Sequence, residues 1–270
     1  MSLYFCPLYS GSSGNALYVS DGETSLLIDA GLSGKIVENA LNQIGVSADS
    51  LGGILITHEH SDHVKGVGVL SRRYHLPVYA THGTWSAMEC AVGEVPCGCR
   101  REFEGDFYLN RLEIHPFEIP HDAAQPCGYR VTGDGCSIAV ATDIGYFSRS
   151  VQEGTCGADL VLLESNFEPD MLLANPHYSA ALKHRIRSRH GHLSNEESGE
   201  AALTLYSSGV RNLILGHMSG ENNLPELAYR VVSDSLRASG VEPGRDIVLD
   251  LAYRHQVGEV YILDKSAQEE

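Results

Sequence analysis

The stretch Thr57-His58-Glu59-His60-Ser61-Asp62-His63 follows a short apolar run, residues 51–56, that reads as a buried strand. It gathers three imidazoles and a carboxylate at the end of that strand. Imidazole nitrogen and carboxylate oxygen are ordinary ligands of Zn²⁺, and the same set holds Mn²⁺ or Fe²⁺. On an extended segment His58 and His60 point to the same side and can share one ion. Asp62 and His63 lie past a turn, free to reach a second ion. The helical HExxH metal motif is excluded, because its second His would fall at position 62, which is Asp.

Two ions need more ligands than four, and the others are expected in loops that follow strands. His121-Asp122 comes after a strand-like run ending at Ile119. Asp143, in Thr142-Asp143-Ile144-Gly145, comes after residues 137–141, and His217 comes after residues 212–215. Each is either a ligand or a polar residue capping its turn. Their shared position at strand ends makes one convergent site the economical reading.

The rest of the chain supplies the frame. Strands are expected at residues 3–8, 16–20, 24–28, 51–56, 76–80, 111–119, 128–131, 137–141, 159–163, 212–215, 247–251 and 259–263. Helices are expected at 33–44, 64–73, 85–91, 179–189, 195–208 and 224–238, from apolar spacing near 3.6 residues. No linker or repeat divides them, so residues 1–270 read as a single α+β domain with helices covering mixed sheets. The chain is 43% hydrophobic and 20% charged, which excludes a disordered or fibrous protein. No apolar run approaches the roughly 20 residues of a membrane span. Seven Cys, an odd number with no CxxC pair, and the lack of a basic, apolar leader point to a reduced, cytoplasmic chain with structural thiols.

The net charge of −16 argues against a general nucleic-acid coat, which needs basic surface. It leaves room for a local one. Lys183, Arg185, Arg187 and Arg189 form the one dense basic run, either a solvated helix face or a steering patch for a phosphate backbone.

THEHSDH resembles the signature of the metallo-β-lactamase superfamily of hydrolases, and the resemblance extends over the whole chain. It implies a four-layer αββα sandwich. It also implies one ion on His58, His60 and His121, a second on Asp62, His63 and His217, and Asp143 bridging them. Asp29, in Ile28-Asp29-Ala30-Gly31, matches the acidic motif that orders the metal loop. SGSSGNA (10–16), PHDAAQPCGY (120–129), TDIG (142–145), LLESNF (162–167), GHLSN (191–195) and LGHMSGENN (215–223) together look like the YycJ/WalJ branch. Members of that branch resemble ribonucleases Z and J and are described as DNA 5′ exonuclease-like phosphodiesterases. The chain lacks the inserted domain of the β-CASP nucleases and the protruding arm of ribonuclease Z. It departs from the branch at Phe167-Glu168, where the usual reading is ESNHD, so the polar contact expected of that His is missing.

Two ions about 3.5 to 4 Å apart can hold a bridging hydroxide and clamp a phosphodiester, so no Ser or Cys nucleophile is required. His192 resembles the proton donor of ribonuclease Z-like enzymes, or else caps the helix beginning near Asn195. Glu164 can hold its second nitrogen. Backbone N–H groups in the turn carrying Ser12, Ser13 and Asn15 can cradle a phosphate. Asn166 and Asn222 are further candidate substrate contacts, although Asn222 can equally cap the helix near residue 224.

The expected activity is therefore di-metal phosphodiester hydrolysis, with a 5′ DNA exonuclease as the leading form and Zn²⁺, Mn²⁺ or Fe²⁺ as the metal. The partner is nucleic acid, either single-stranded or end-containing DNA, or RNA. No membrane or obligate protein partner is called for. The same constellation serves a small phosphodiester, another ester or a thioester, and a non-catalytic metal- or nucleotide-binding protein is the remaining alternative. A narrow pocket shut by residues 85–105 and 167–178 would favour a small substrate, whereas a trough beside residues 183–189 would favour a strand.

Overall fold

The computed structural model describes residues 2–265 of the 270-residue chain. The first part of the chain forms β1 (Leu3–Tyr9), β2 (Ala16–Ser20), β3 (Ser25–Ile28), β4 (Leu51–Leu55), β5 (Val78–Ala80) and β6 (Arg100–Glu102). Between these strands lie α1 (Gly34–Gln43), α2 (Ser61–Val64), α3 (Val67–Tyr74) and α4 (His82–Val92). The second part forms β7 (Phe107–Leu109), β8 (Leu112–Glu118), β9 (Cys127–Gly133), β10 (Cys136–Ala141), β11 (Leu160–Glu164), β12 (Asn212–Gly216) and β13 (Val248–Leu251). Its helices are α5 (Arg149–Thr155), α6 (Pro169–Ala174), α7 (Ala180–Ile186), α8 (Asn195–Ser207) and α9 (Pro225–Ala238). A last strand, β14 (Tyr261–Leu263), returns to pair antiparallel with β1.

Two mixed sheets result, ordered β14-β1-β2-β3-β4-β5-β6 and β13-β12-β11-β10-β9-β8-β7. Each is antiparallel on one side and parallel on the other, with the switch at β3 in the first sheet and at β10 in the second. Alternation along the strands builds three separate cores. Leu17 and Val19 of β2 face the other sheet, beside Ile138 and Val140 of β10 and Leu160 and Leu162 of β11. Ala16 and Tyr18 point the other way, into the layer shared with Val37 and Leu41 of α1, Leu70 of α3 and Trp85 of α4. Val161 and Leu163 of β11 meet Leu205 of α8 and Val232 of α9 on the far side. Both faces of each central strand are therefore covered, and the layers run helix, sheet, sheet, helix. This is the expected αββα sandwich.

Four short elements were not legible in the alternation: β6, β7, α5 and α6. Arg100-Arg101-Glu102 is exposed throughout, so no apolar period marks it. The helix expected over 64–73 is divided into α2 and α3 at Gly66, where a Cβ would lie 2.3 Å from Leu32 O. The helix expected over 179–189 stops at Ile186, because the chain turns there, with Gly191 N bonding Ser188 O and His192 N bonding Ile186 O, both at 2.9 Å. Phe167 takes a packing role in place of the missing His, buried with Leu172 of α6 and Ile186 of α7.

Candidate metal centre

Pairing aligns the C-terminal ends of β1, β3 and β4 in the first sheet and of β8, β10, β11 and β12 in the second, and the close approach of side chains from both sets brings them to one edge of the sandwich. Ser10, Asp29, His58, His121, Asp143, Glu164 and His217 all lie at or just beyond those ends. Asp29, Asp143 and His217 adopt left-handed backbone, with φ of 62°, 57° and 53°. Such a conformation costs a non-glycine residue about 1–3 kcal/mol and collects at functional sites. Here it turns each side chain back over the sheet edge.

The expected ligands converge. One donor atom from each of His58, His60 and His121 lies within 4.8 Å of the others, and Asp62, His63 and His217 form a second such group. Asp143 stands between them, with Oδ1 3.7 Å from His121 Nε2 and 3.5 Å from His217 Nε2, and Oδ2 3.3 Å from His63 Nε2. No cysteine joins a metal-competent group among the described residues. Burial pushes the Cys6 and Cys127 thiols up to about 12, so neither is a nucleophile at neutral pH.

The donor set fits divalent ions. His58 Nε2, Asp143 Oδ2 and His217 Nε2 are buried with no hydrogen-bond partner, and each such atom carries a desolvation cost of about 1–3 kcal/mol. A cation would make all three atoms ligands. Burial, reinforced by the neighbouring His63 and His121, holds the His58 pKa well below 6.5, so this imidazole is neutral and ready to ligate. Burial opposes charge on His217 too, but Asp143, Asp62 and Glu164 outweigh it and raise its pKa to about 10. The metal-free cluster therefore keeps a proton there that an ion would displace.

Each imidazole is aimed by its outer nitrogen. His63 Nδ1 donates to Asp29 Oδ2 at 2.8 Å, and His217 Nδ1 donates to Glu164 Oε1 at 2.7 Å. His121 Nδ1 lies 3.2 Å from Gly191 O, and His58 Nδ1 lies 3.0 Å from Thr57 Oγ1. These four point Nε2 inward, whereas His60 presents Nδ1, 3.3 Å from His121 Nε2. Asp29 also accepts the Thr57 N–H at 2.9 Å and the Thr57 hydroxyl at 2.8 Å, so it ties the segment carrying His58 to the end of β3. The sequence reading missed Thr57, although its place directly before His58 was the available signal. Gly31 completes the joint: a Cβ there would lie 1.6 Å from Asp62 O.

His192 lies beside the cluster. Its Nδ1 is 2.8 Å from Glu164 Oε1 and 3.8 Å from Asp143 Oδ1, and its side chain is 16% exposed. It does not cap α8, which begins with a capping box between Ser194 and Glu197. Glu164 is fully buried and accepts the Ile144 and Leu193 N–H groups at 2.9 and 3.1 Å. Burial alone would raise its pKa, but His192 and His217 hold it well below the usual carboxylate range.

The candidate substrate contacts divide. Asn15 is buried, with its Nδ2 3.1 Å from His63 Nε2 and its Oδ1 accepting the Gly11 N–H. Asn166 Nδ2 donates to His217 O at 2.7 Å, and Asn222 Oδ1 accepts from Asn175 at 2.7 Å. These three side chains are spent on the protein itself. Ser12 and Ser13 are exposed at the tip of their turn. Asp122 pairs with Arg185, its Oδ1 2.9 Å from Nη2, and stands 3.5 Å from His121 Nε2. A cleft of about 590 Å³ reaches His121, walled by Phe103 and Glu104 and by Tyr146, Arg189 and His190. Arg189 stacks 4.0 Å over the Tyr146 ring.

Residues 24–218 match the family described as the beta-lactamase superfamily domain. Over 246 residues the chain is 41% identical to a Bacillus anthracis protein named exodeoxyribonuclease YycJ, covering 90% of this chain and 93% of that one. It is 40% identical over 248 residues to exodeoxyribonuclease WalJ of Streptococcus pneumoniae, covering 88% and 90%. Among solved structures, the metallo-beta-lactamase fold protein YhfI of Bacillus subtilis superposes with a TM-score of 0.72 at 16% identity, covering 97% of this chain and 100% of that one. Human tRNase Z, short form, superposes with a TM-score of 0.62 at 18% identity, covering 95% and 98%. At such identities the two superpositions speak to the fold alone.

Proposed function

The chain belongs to the beta-lactamase superfamily and is a metal-dependent hydrolase, and we propose that it removes nucleotides from the 5′ end of DNA by hydrolysing phosphodiester bonds. The observation that carries this reading is Asp143, one carboxylate facing two three-residue clusters whose inward atoms suit divalent ions. The names of the relatives, exodeoxyribonucleases at about two-fifths identity over nearly the whole chain, support the choice of DNA. Mn²⁺ or Zn²⁺ is the expected metal, with Fe²⁺ compatible with the same ligands.

Ions bound by His58, His60 and His121 and by Asp62, His63 and His217 would supply an acidified water and positive charge for the phosphate oxygens. The chain's own residues do the rest. Asp143 sets the spacing of the two clusters. Glu164 holds His192 by Nδ1, which leaves Nε2 to give a proton to the departing alkoxide. The cleft beside His121 is walled by Phe103 and Glu104 of the 85–105 segment but by none of residues 167–178, and Arg189 and His190, the close of the basic run, also line it. That basic lining supports a strand over a small ester.

The test is cleavage of end-labelled single-stranded DNA and RNA by metal-stripped protein with Mn²⁺ or Zn²⁺ restored, beside a His60→Ala control and a simple phosphodiester. Stepwise loss from the 5′ end, abolished in the control, is expected. Cleavage of the simple ester alone would retain the hydrolase and remove the nucleic-acid assignment. Binding of both ions without cleavage of any substrate would favour a non-catalytic protein.

A further inference from the structure

Arg254 stands apart from the other cations of this acidic chain. Only two arginines are not exposed, Arg130 and Arg254. The Arg130 guanidinium is fully engaged, bonding Cys156 O, Ser137 Oγ and Gly157 O. Arg254 has no hydrogen-bond or ion-pair partner among the described residues, and its Nε is buried without one. A desolvated donor left unpaired is costly, and an apolar side chain of similar length would fill the same space without that cost.

The surroundings hold the guanidinium in place by shape. A Cβ on Gly220 would lie 1.3 Å from Arg254 Nη1 and 2.4 Å from Cζ. A Cβ on Gly11 would lie 2.3 Å from Arg254 Cγ. The side chain is laid across two glycine backbones that only glycine leaves open. Both glycines belong to loops of the metal edge. Ser10 Oγ accepts the His217 N–H at 2.9 Å, and Ser10 N donates to Tyr253 O at 2.9 Å, so one residue links a candidate ligand to the neighbour of Arg254. Gly11 bridges to Met218, the residue after His217. A groove of about 350 Å³ opens beside the guanidinium, lined by Met218, Gly220, Leu224 and Tyr253. It lies on the His217 side of the centre, whereas the cleft described above reaches His121.

We propose that Arg254 is a phosphate-binding residue for a backbone phosphate flanking the scissile bond, so that this groove recognises a polynucleotide strand rather than an isolated ester. An unpaired guanidinium presents a planar fork of donors that matches phosphate oxygens. The exposed Ser12–Ser13 turn follows directly on Gly11. The proposal rests on the nuclease reading and gives its strand a second anchor.

The experiment compares wild type with Arg254→Met, which keeps the stem, with Arg254→Lys, and with Gly220→Ala, which displaces the guanidinium without removing its charge. Arg230→Met, at an exposed arginine of α9, controls for net charge. Two quantities are read on Mn²⁺-restored protein. One is the ratio of kcat/KM on a short single strand to kcat/KM on a simple phosphodiester. The other is the salt dependence of binding to a phosphorothioate-protected strand. In Arg254→Met the ratio is expected to fall about tenfold or more, the size of one charge-assisted contact. The log–log salt slope is expected to fall by about 0.7, one phosphate on a single strand. Gly220→Ala should follow it, Arg254→Lys should keep the slope, and Arg230→Met should change neither quantity. Equal losses on both substrates, or an unchanged slope in Arg254→Met, would overturn the site and leave the nuclease reading standing. A wild type that cleaves the ester but neither binds nor cuts a strand would instead overturn the nuclease reading, and this site with it.

Discussion

Glu164 and His217 are joined by a 2.7 Å hydrogen bond between two fully buried side chains, the imidazole Nδ1–H donating to Oε1. Around that carboxylate every neighbour is a donor: His217, His192, and the N–H groups of Ile144 and Leu193. Glutamine has the right shape but must turn its own NH2 toward one of them. Glu164→Gln is therefore expected to lower affinity for the ion on His217 about 10- to 100-fold, as loss of an outer partner does at metal-binding imidazoles. Competition with a chromophoric chelator measures it. An unchanged affinity would mean that His217 is oriented without Glu164.

On the proposed mechanism His192 protonates the leaving group, and leaving groups differ in how much they need a proton. His192→Ala should reduce kcat on DNA by about 10²–10⁴. On a nitrophenyl phosphodiester, whose departing phenolate is already stable, the fall should be much smaller. Metal content, read by atomic emission, separates this from loss of an ion. Equal falls on both substrates would assign His192 to positioning rather than proton transfer.

The legible part of the centre was the part written at short range or at strand ends. His58, His60, Asp62 and His63 fall within one turn of chain, so their spacing alone announced a shared site. His121, Asp143 and His217 were found because each follows an apolar run, and parallel strands bring such ends to one edge. What escaped depends on neighbours remote in the chain. Nothing beside Arg254 in sequence shows that Gly11 and Gly220 will clasp it. Phe167 read as the loss of a polar contact, and only the packing shows it anchoring α6 and α7. The edge strands β6 and β7 are short and largely exposed, so they carry no alternation to read.

Asp29 has φ of 62°, a conformation that Asn tolerates at least as well as Asp. Asp29→Asn should therefore keep the loop but lose the charge that receives His63 Nδ1–H at 2.8 Å. The variant is expected to stay folded, with stability reduced by about 1–3 kcal/mol, since hydrogen bonds to a charged group are replaced by neutral ones. Affinity for the ion on His63 should fall about 10- to 100-fold. Urea denaturation and metal titration read the two effects. A large stability loss with unchanged affinity would make Asp29 a fold residue only.

Protein stripped of metal by a chelator should carry the charge pattern of the donor cluster in its pH dependence. Burial disfavours charge on His217 and His63, yet the surrounding carboxylates raise both pKa values, that of His217 from 6.5 to about 10. A raised folded pKa contributes stability that is fully present below pH 6.5 and is lost as pH climbs toward 10. Glu164 and Asp62 run the other way. Burial opposes their charge, but the facing imidazoles depress both, so their contributions hold above pH 4.5 and are lost in stronger acid. Urea midpoints of the chelator-treated protein should thus decline from neutral pH toward 10 as well as below pH 4.5. An ion requires neutral His63 and His217 and displaces their protons, so its binding strengthens over the same alkaline interval. The gap between metal-loaded and metal-free midpoints is expected to widen from pH 6.5 upward. A gap that stays constant, or a metal-free protein that gains stability on the way to pH 10, would show that these two imidazoles are not held protonated between the carboxylates.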